Sequence, residues 1–327
     1  MTLLLTRGEV VELLTLDECI AAVEAGFRRQ AEGGAVGPGV LGLPVPDGGF
    51  HIKAAGLRLA RFYVAAKINA NFPDNMARRG LPTIQGVVVL SDGETGLPLA
   101  LIDSMEITAL RTGAATAVAA RYLARPEAHV ATIVGCGRQG RIQLAALARV
   151  RPLERVHAVD ADPGLAARFA REMSAQLGLD VRPAASAAEA APGSDIFVTC
   201  TPSRRPLLHR VDVRPGAFVA AVGADNEHKQ ELEPALMAAA TIVVDSLEQC
   251  AAIGDLHHAL ASGAVSIGQV HAELSEVVAG RKPGRRSAEE ITIFDSSGVA
   301  IEDVAAAAAV YEKAVAAGRG VTVDLAS

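Results

Sequence analysis

The sequence contains no tryptophan, and aromatic residues supply only 3% of its 327 positions. Binders of single-stranded nucleic acid stack bases on aromatic side chains, and this chain has few to offer. Cationic excess is missing as well: the formal net charge is −6, which leaves no electrostatic surface for a phosphate backbone or an anionic lipid. No uncharged apolar run reaches the roughly 18 residues of a membrane span. The opening MTLLLTRGEVVELL has no basic segment ahead of its apolar run and turns acidic soon after, so it does not read as a signal peptide. Only four cysteines occur, Cys19, Cys136, Cys200 and Cys250, without CxxC or Cys/His ligand spacing, and they read as buried small hydrophobes. These absences predict a cytoplasmic protein with no nucleic-acid partner, no membrane partner and no metal.

Lysine is scarce too. Of 31 Lys plus Arg, the lysines are only those at 53, 67, 229, 282 and 313, so each one is worth locating. The length suits two domains, each able to bury its own core. No repeat of 20–50 residues is visible, which sets aside solenoids and propellers.

The most informative segment that is present is ATIVGCGRQG, residues 131–140, an apolar strand running into G-x-G-x-x-G and then the helix-forming RIQLAALARV. Glycines there allow a tight turn and close backbone approach, while the following helix aims its first N–H groups at a pyrophosphate. A second strand, RVHAVD, ends in Asp160, where a carboxylate can accept from an adenosine ribose. An ordinary βα turn with glycines used for packing is the competing account. The arrangement makes Gly135, Gly137, Arg138, Gln139, Gly140 and Asp160 candidate contacts for NAD, with NADP not excluded because Arg138 and Arg141 flank the turn.

From 121 to 302 strand-like and helix-like segments alternate with short loops, the pattern of a Rossmann-type doubly wound parallel sheet. Strands are expected at HVATIVG, RVHAVD, LDVRPA, DIFVTCT, AFVAAVG, TIVVDS and ITIFDS. Residues 1–120 read as an α+β domain: an amphipathic helix carries Ile20, Val23 and Phe27, and the turn signals PDGG and SDGETG separate strands of antiparallel hairpins. The 303–327 tail, a helix and a short strand, is expected to pack back on that first domain. His257 and His258 lie in an Ala-rich helical run and read as solvated surface.

Taken in order, AAKINANFPDN, ITALRTGAATAVAARYLARP, TIVGCGRQGRIQLAAL, VGADNEHKQEL and TIFDSSGVAIEDVAAA resemble the ornithine cyclodeaminase/mu-crystallin family over nearly the whole chain. The resemblance implies a homodimer built from the first domain, which also binds substrate, a Rossmann domain for NAD(P), and chemistry at the α-carbon of a small amino or imino acid in the cleft between them. It makes Lys67 a substrate-site ammonium, Arg111 a carboxylate or nicotinamide-side contact, and Asp225 the catalytic acid/base. It further implies cofactor contacts at Thr83, Thr201, Lys229, Ser297 and Gly298. On the residues alone, Arg111 could instead pair with Asp103 or Glu106, and Asp225 could cap the next helix.

Two positions depart from cyclodeaminases of that family. Their early arginine clamp falls here on GPGVLGLP and offers Gly39, and an acid before the lysine strand is replaced by His51 or Lys53 in FHIKAAGL. The pocket then presents cations where ornithine's distal ammonium wants a carboxylate. The expected activity is therefore net imine reduction or amino-acid dehydrogenation, as in a pyrroline-2-carboxylate reductase or alanine dehydrogenase. An ornithine cyclodeaminase proper and a non-catalytic, mu-crystallin-like ligand-binding protein are the alternatives.

Overall fold

The computed structural model describes residues 1–325; positions 326 and 327, the end of the expected tail, lie outside the described residues. The backbone divides into two compact units, one of Met1–Arg111 with the described residues from Val299 on, the other of Thr112–Gly298.

The first unit opens with β1 (Thr2–Leu5), α1 (Arg7–Leu13) and α2 (Leu16–Ala31). Both helices start on capping boxes, Thr6 with Glu9 and Thr15 with Glu18, which satisfy N–H groups that a helix start otherwise leaves without partners. The apolar stripe of α2 is buried at Ile20, Val23 and Phe27. Next come β2 (Ala35–Val45), β3 (Gly48–Arg58), β4 (Phe62–Asn71), the short α3 (Asn75–Arg79), β5 (Ile84–Asp92) and β6 (Pro98–Asp103). Neighbours from β2 to β6 pair antiparallel, and PDGG and SDGETG form the expected turns. Asp47 takes φ 65° in the first of them, a left-handed conformation that Asp tolerates. Helix α4 (Ser104–Leu123) follows β6 directly.

The second unit runs β7 (Val130–Val134), α5 (Arg138–Leu147), β8 (Arg155–Val159), α6 (Pro163–Leu177), β9 (Asp180–Pro183), α7 (Ala187–Ala190), β10 (Ile196–Thr199), β11 (Arg204–Leu208) and β12 (Phe218–Ala221). It continues with β13 (Gln230–Leu232), α8 (Pro234–Ala238), β14 (Thr241–Val244), α9 (Leu247–Ile253), α10 (Asp255–Ala261), β15 (Val270–Glu273), α11 (Leu274–Val278) and β16 (Thr292–Asp295). Eight strands form one sheet in the order β15-β14-β16-β12-β10-β7-β8-β9, every pair parallel. Strands β7, β10, β12 and β16 are buried at every residue, which is why they read as mostly apolar runs, with Asp295 at the carboxyl end of β16, rather than as alternating ones. Winding reverses between β7 and β10, the switch point at which doubly wound sheets open a crevice outside the carboxyl ends of their strands. Small residues in α4 serve packing within this unit, since a Cβ on Gly113 would stand 2.6 Å from Ile142 Cγ2 of α5. Strands β11 and β13, which form their own two-stranded sheet, and the edge strand β15 were not among the expected strands.

The chain then completes the first unit with α12 (Ala300–Ala317) and β17 (Val321–Val323). β17 pairs antiparallel with β1, giving a seven-stranded sheet in the order β17-β1-β6-β5-β4-β3-β2. α12 lies against α2, β3 and β4, and Gly26 lets it approach so closely that a Cβ there would sit 3.3 Å from Ala305 Cβ. No helix among the described residues is long and apolar enough to cross a membrane.

Candidate functional site

In the second unit the candidate cofactor residues gather at the carboxyl ends of the parallel strands. β7 delivers the glycine turn, β8 Asp160, β10 Thr201, β12 the loop to Asp225, and β16 Ser297 and Gly298. Each glycine of the turn has a distinct reason. Gly135 takes φ 106°, which L side chains rarely adopt, and Gly140 packs so tightly that a Cβ would lie 2.0 Å from the Gly135 carbonyl oxygen. A Cβ on Gly137, by contrast, would meet nothing within 4 Å, so the backbone there is open to a ligand. Gly137 is also the N-cap of α5 and gives no side-chain cap, leaving the helix start to an anion. The Gln139 amide nitrogen is buried beside it with no hydrogen-bond partner. These features fit a dinucleotide pyrophosphate.

Asp160 accepts from the Cys136 N–H at 2.8 Å and the Asp162 N–H at 3.0 Å, which locks its carboxylate next to the turn. Arg141 forms an ion pair with Glu172 at 2.6 Å and lies over the Phe169 ring, so it is tied to α6. Ser297 donates to the buried Asp245 at 2.9 Å, and the Gly298 N–H to the same carboxylate at 2.6 Å, which fixes this loop from below.

Asp225 is 57% exposed in its side chain and pairs with Lys229 Nζ at 2.7 Å. The helix-cap account of Asp225 fails: turns and β13 follow it, not a helix. The histidines also differ from expectation. His257 Nδ1 lies 3.1 Å from the Ala251 carbonyl and His258 Nε2 2.9 Å from the Lys229 carbonyl, both half-buried, so they are structural partners rather than solvated surface.

The first unit brings together a buried set of charges. Lys67 on β4 stands 2.8 and 2.7 Å from the two carboxylate oxygens of Asp303, and Arg111 on α4 reaches Glu302 at 2.8 Å and Asp303 at 3.2 Å. Side-chain exposure is 4% for Lys67, 8% for Arg111, 2% for Asp303 and 0% for Glu302. Arg111 thus pairs with the first turn of α12, and Asp103, one of its expected alternatives, faces Arg7 at 3.3 Å. Burial pushes the Lys67 ammonium down to about 8; the Asp303 charge opposes this, and Arg111 and Lys53 reinforce it. Asp303 is held below the usual carboxylate range by Lys67 and Arg111, against its own burial.

Strand register settles the neighbours. Lys53 pairs directly with Lys67 and His51 with Asn69, so His51, Lys53 and Lys67 share one sheet face. Gly39 does not belong to that group: it pairs with Ala54 on the opposite face, and the positions beside Lys53 and His51 are Val40 and Gly42. Thr83 lies in the first unit, where its carbonyl accepts from the Phe72 N–H at 2.8 Å, whereas the other candidate cofactor contacts lie in the second.

Glu302 and Asp303 were missed in the sequence. They look like acids placed to complement a helix N-terminus. The available signal was the stretch that follows, residues 304–310, an alanine-rich run apolar all round: a helix segment buried on every side carries the charges beside it inward. Glu231, Asp245, Asp255 and Asp295, all buried in the second unit, were missed as well.

The ornithine cyclodeaminase/mu-crystallin family model matches residues 1–318. A curated relative, alanine dehydrogenase of Archaeoglobus fulgidus, is 42% identical over 315 residues, covering 96% of this chain and 95% of its own. Among solved structures, an archaeal alanine dehydrogenase dimer with bound NAD superposes with a TM-score of 0.94 at 40% identity over 99% of both chains. The Thermococcus litoralis Δ1-pyrroline-2-carboxylate reductase, in complex with NADH and L-proline, has a TM-score of 0.94 at 37% identity over 98% of this chain and all (100%) of its own.

Proposed function

Because the chain belongs to the ornithine cyclodeaminase/mu-crystallin family, we propose that it is an NAD-linked oxidoreductase acting at the α-carbon of a small amino or cyclic imino acid. The observation that carries the substrate class is the buried Lys67–Arg111 pair. Glu302 and Asp303 hold both cations in place, and a fixed ammonium and guanidinium suit an α-carboxylate. The bound nicotinamide would exchange hydride with the α-carbon. Gly137 and Gln139 would hold its pyrophosphate on the turn that Gly135 shapes, and Asp160 the adenosine ribose. Asp225 would deliver or accept the proton at the substrate nitrogen, and Lys229 orients its carboxylate. The reading includes a homodimer: the edge strand β2 leaves Val36, Val40, Leu41, Leu43 and Val45 exposed, an apolar edge that wants cover. It also includes a cytoplasmic location, which suits four unbridged cysteines.

Lys53 beside Lys67 on one sheet face, where a distal ammonium of the substrate would want a carboxylate, supports net reduction over cyclodeamination. Purified enzyme with NADH and pyrroline-2-carboxylate, or with pyruvate and ammonia, is expected to consume one NADH per product. NADPH is expected to serve less well, because Asp160 meets a 2′-phosphate with like charge while Arg141 is tied to Glu172. Proline and ammonia released from ornithine at catalytic NAD, with no net NADH change, would overturn the reductive reading.

The Lys67 shift sets a pH dependence. Its charge is present below about 8 and lost as pH rises through that value. KM for the imino acid, measured at saturating cofactor on both sides of pH 8, is therefore expected to climb on the alkaline side. A flat profile there would remove Lys67 from substrate binding.

A further inference from the structure

Glu231 is a fully buried carboxylate that the chemistry above does not use. It sits on β13, outside the main sheet, yet its side chain ties two of that sheet's loops together. One oxygen, Oε1, accepts from the Thr201 N–H at 2.6 Å and the Thr201 hydroxyl at 2.7 Å; the other, Oε2, accepts from the Gly223 N–H at 2.9 Å. Thr201 follows β10, and Gly223 leads from β12 to Asp225 two residues on. The contact is close-fitting. A Cβ on Gly223 would lie 2.5 Å from Glu231 Oε2, and a Cβ on Gly135, at the glycine turn, 3.0 Å from the Thr201 methyl.

Glu231 is itself anchored from behind. Asp255 Oδ1 accepts the Glu231 and Leu232 N–H groups, both at 2.8 Å, and Asp295, at the end of β16, accepts those of Asp255 at 3.3 Å and Leu256 at 2.8 Å. A relay of three buried carboxylates thus runs from β16 to the loops after β10 and β12. Burial raises the pKa of Glu231 to about 7, and the Asp255 charge adds to the rise. The three donors facing it nonetheless demand an acceptor at both oxygens.

We propose that Glu231 is a positioning residue for the nicotinamide end of the cofactor: its carboxylate sets the spacing between the Thr201 loop and the Gly223–Asp225 loop. This rests on the reading that those loops receive NAD(H). Glu231 touches neither cofactor nor substrate in this role and acts through Thr201 and Gly223.

Glu231→Gln keeps the size but turns an N–H₂ toward an N–H donor, so one loop loses its acceptor. Titration of purified protein with NADH, followed by fluorescence or calorimetry, is expected to show about a tenfold or larger rise in Kd, the effect of losing one charge-assisted hydrogen bond. KM for NADH should rise with it, while KM for the imino acid at saturating NADH stays unchanged. Thr201→Val, which removes one donor and leaves the carboxylate, should weaken NADH binding too. The double variant should bind no worse than Glu231→Gln alone, because both act on the same contact. An NADH Kd within twofold of wild type in a folded Glu231→Gln would overturn the proposal. If that variant does not fold, an unchanged Kd in Thr201→Val does the same. A wild-type protein that binds no NADH would instead overturn the cofactor reading beneath it.

Discussion

Asp225→Asn is expected to lower kcat by about 10²–10⁴-fold while leaving the Kd for NADH close to wild type. The amide keeps the shape of the carboxylate but cannot take up or return a proton at the substrate nitrogen. Its Oδ1 can still accept from Lys229, now 2.7 Å away, so the loop keeps its main contact. That makes the variant a test of chemistry rather than of folding. Steady-state rates with pyrroline-2-carboxylate, set beside NADH titrations, separate the two quantities. Activity within a few-fold of wild type would remove Asp225 from acid–base catalysis and leave it an exposed partner of Lys229. Glu231→Gln should do the reverse, weakening cofactor binding first, so the two variants separate the acting residue on the loop after β12 from the residue on β13 that supports that loop.

How much of this was legible beforehand follows from how local each signal is. The glycine turn and the parallel strands could be read because they rest on contacts a few residues apart or on burial that the apolar runs declare, and Asp160 because it ends the strand that follows the turn, 24 positions after Cys136. Lys67 announced itself as a lone lysine in an apolar strand. Its partner could not: Asp303 is 236 positions away, and nothing in the short-range pattern of either segment names the other. Gly39 shows the limit of counting along a hairpin. An irregularity in the β2–β3 pairing between Val36 and Gly39 precedes it, and a one-residue change of register moves a position to the other face of a sheet. Strands β11 and β13 escaped notice because they are short, one of them charged, and stabilised by each other and by Asp255 rather than by a pattern of their own. The buried acids were hidden for the same reason as Asp303, since an Asp or Glu at a helix start or strand end has a surface explanation ready to hand.

Replacing Lys67 by Met is expected to destabilise the protein by about 3–5 kcal/mol, the usual cost of removing one member of a buried ion pair. Asp303, 2% exposed, would lose the ammonium that lies 2.8 and 2.7 Å from its two oxygens and depend on Arg111 at 3.2 Å. A stability loss alone would not distinguish a substrate ligand from a structural cation, because both predict it. The pair variant Lys67→Met/Asp303→Leu distinguishes them. Two apolar side chains replace the pair without leaving a charge uncompensated, so stability in urea unfolding should return most of the way to wild type. Turnover should not return: with the ammonium gone, kcat/KM for the imino acid should stay about 10–100-fold down, the value of a charge-assisted hydrogen bond to a carboxylate. A double variant as unstable as Lys67→Met would mean the loss came from packing rather than from an unpaired charge. One that regained both stability and activity would make Lys67 a counter-ion for Asp303 and nothing more, leaving Arg111 and Lys53 to hold the substrate carboxylate.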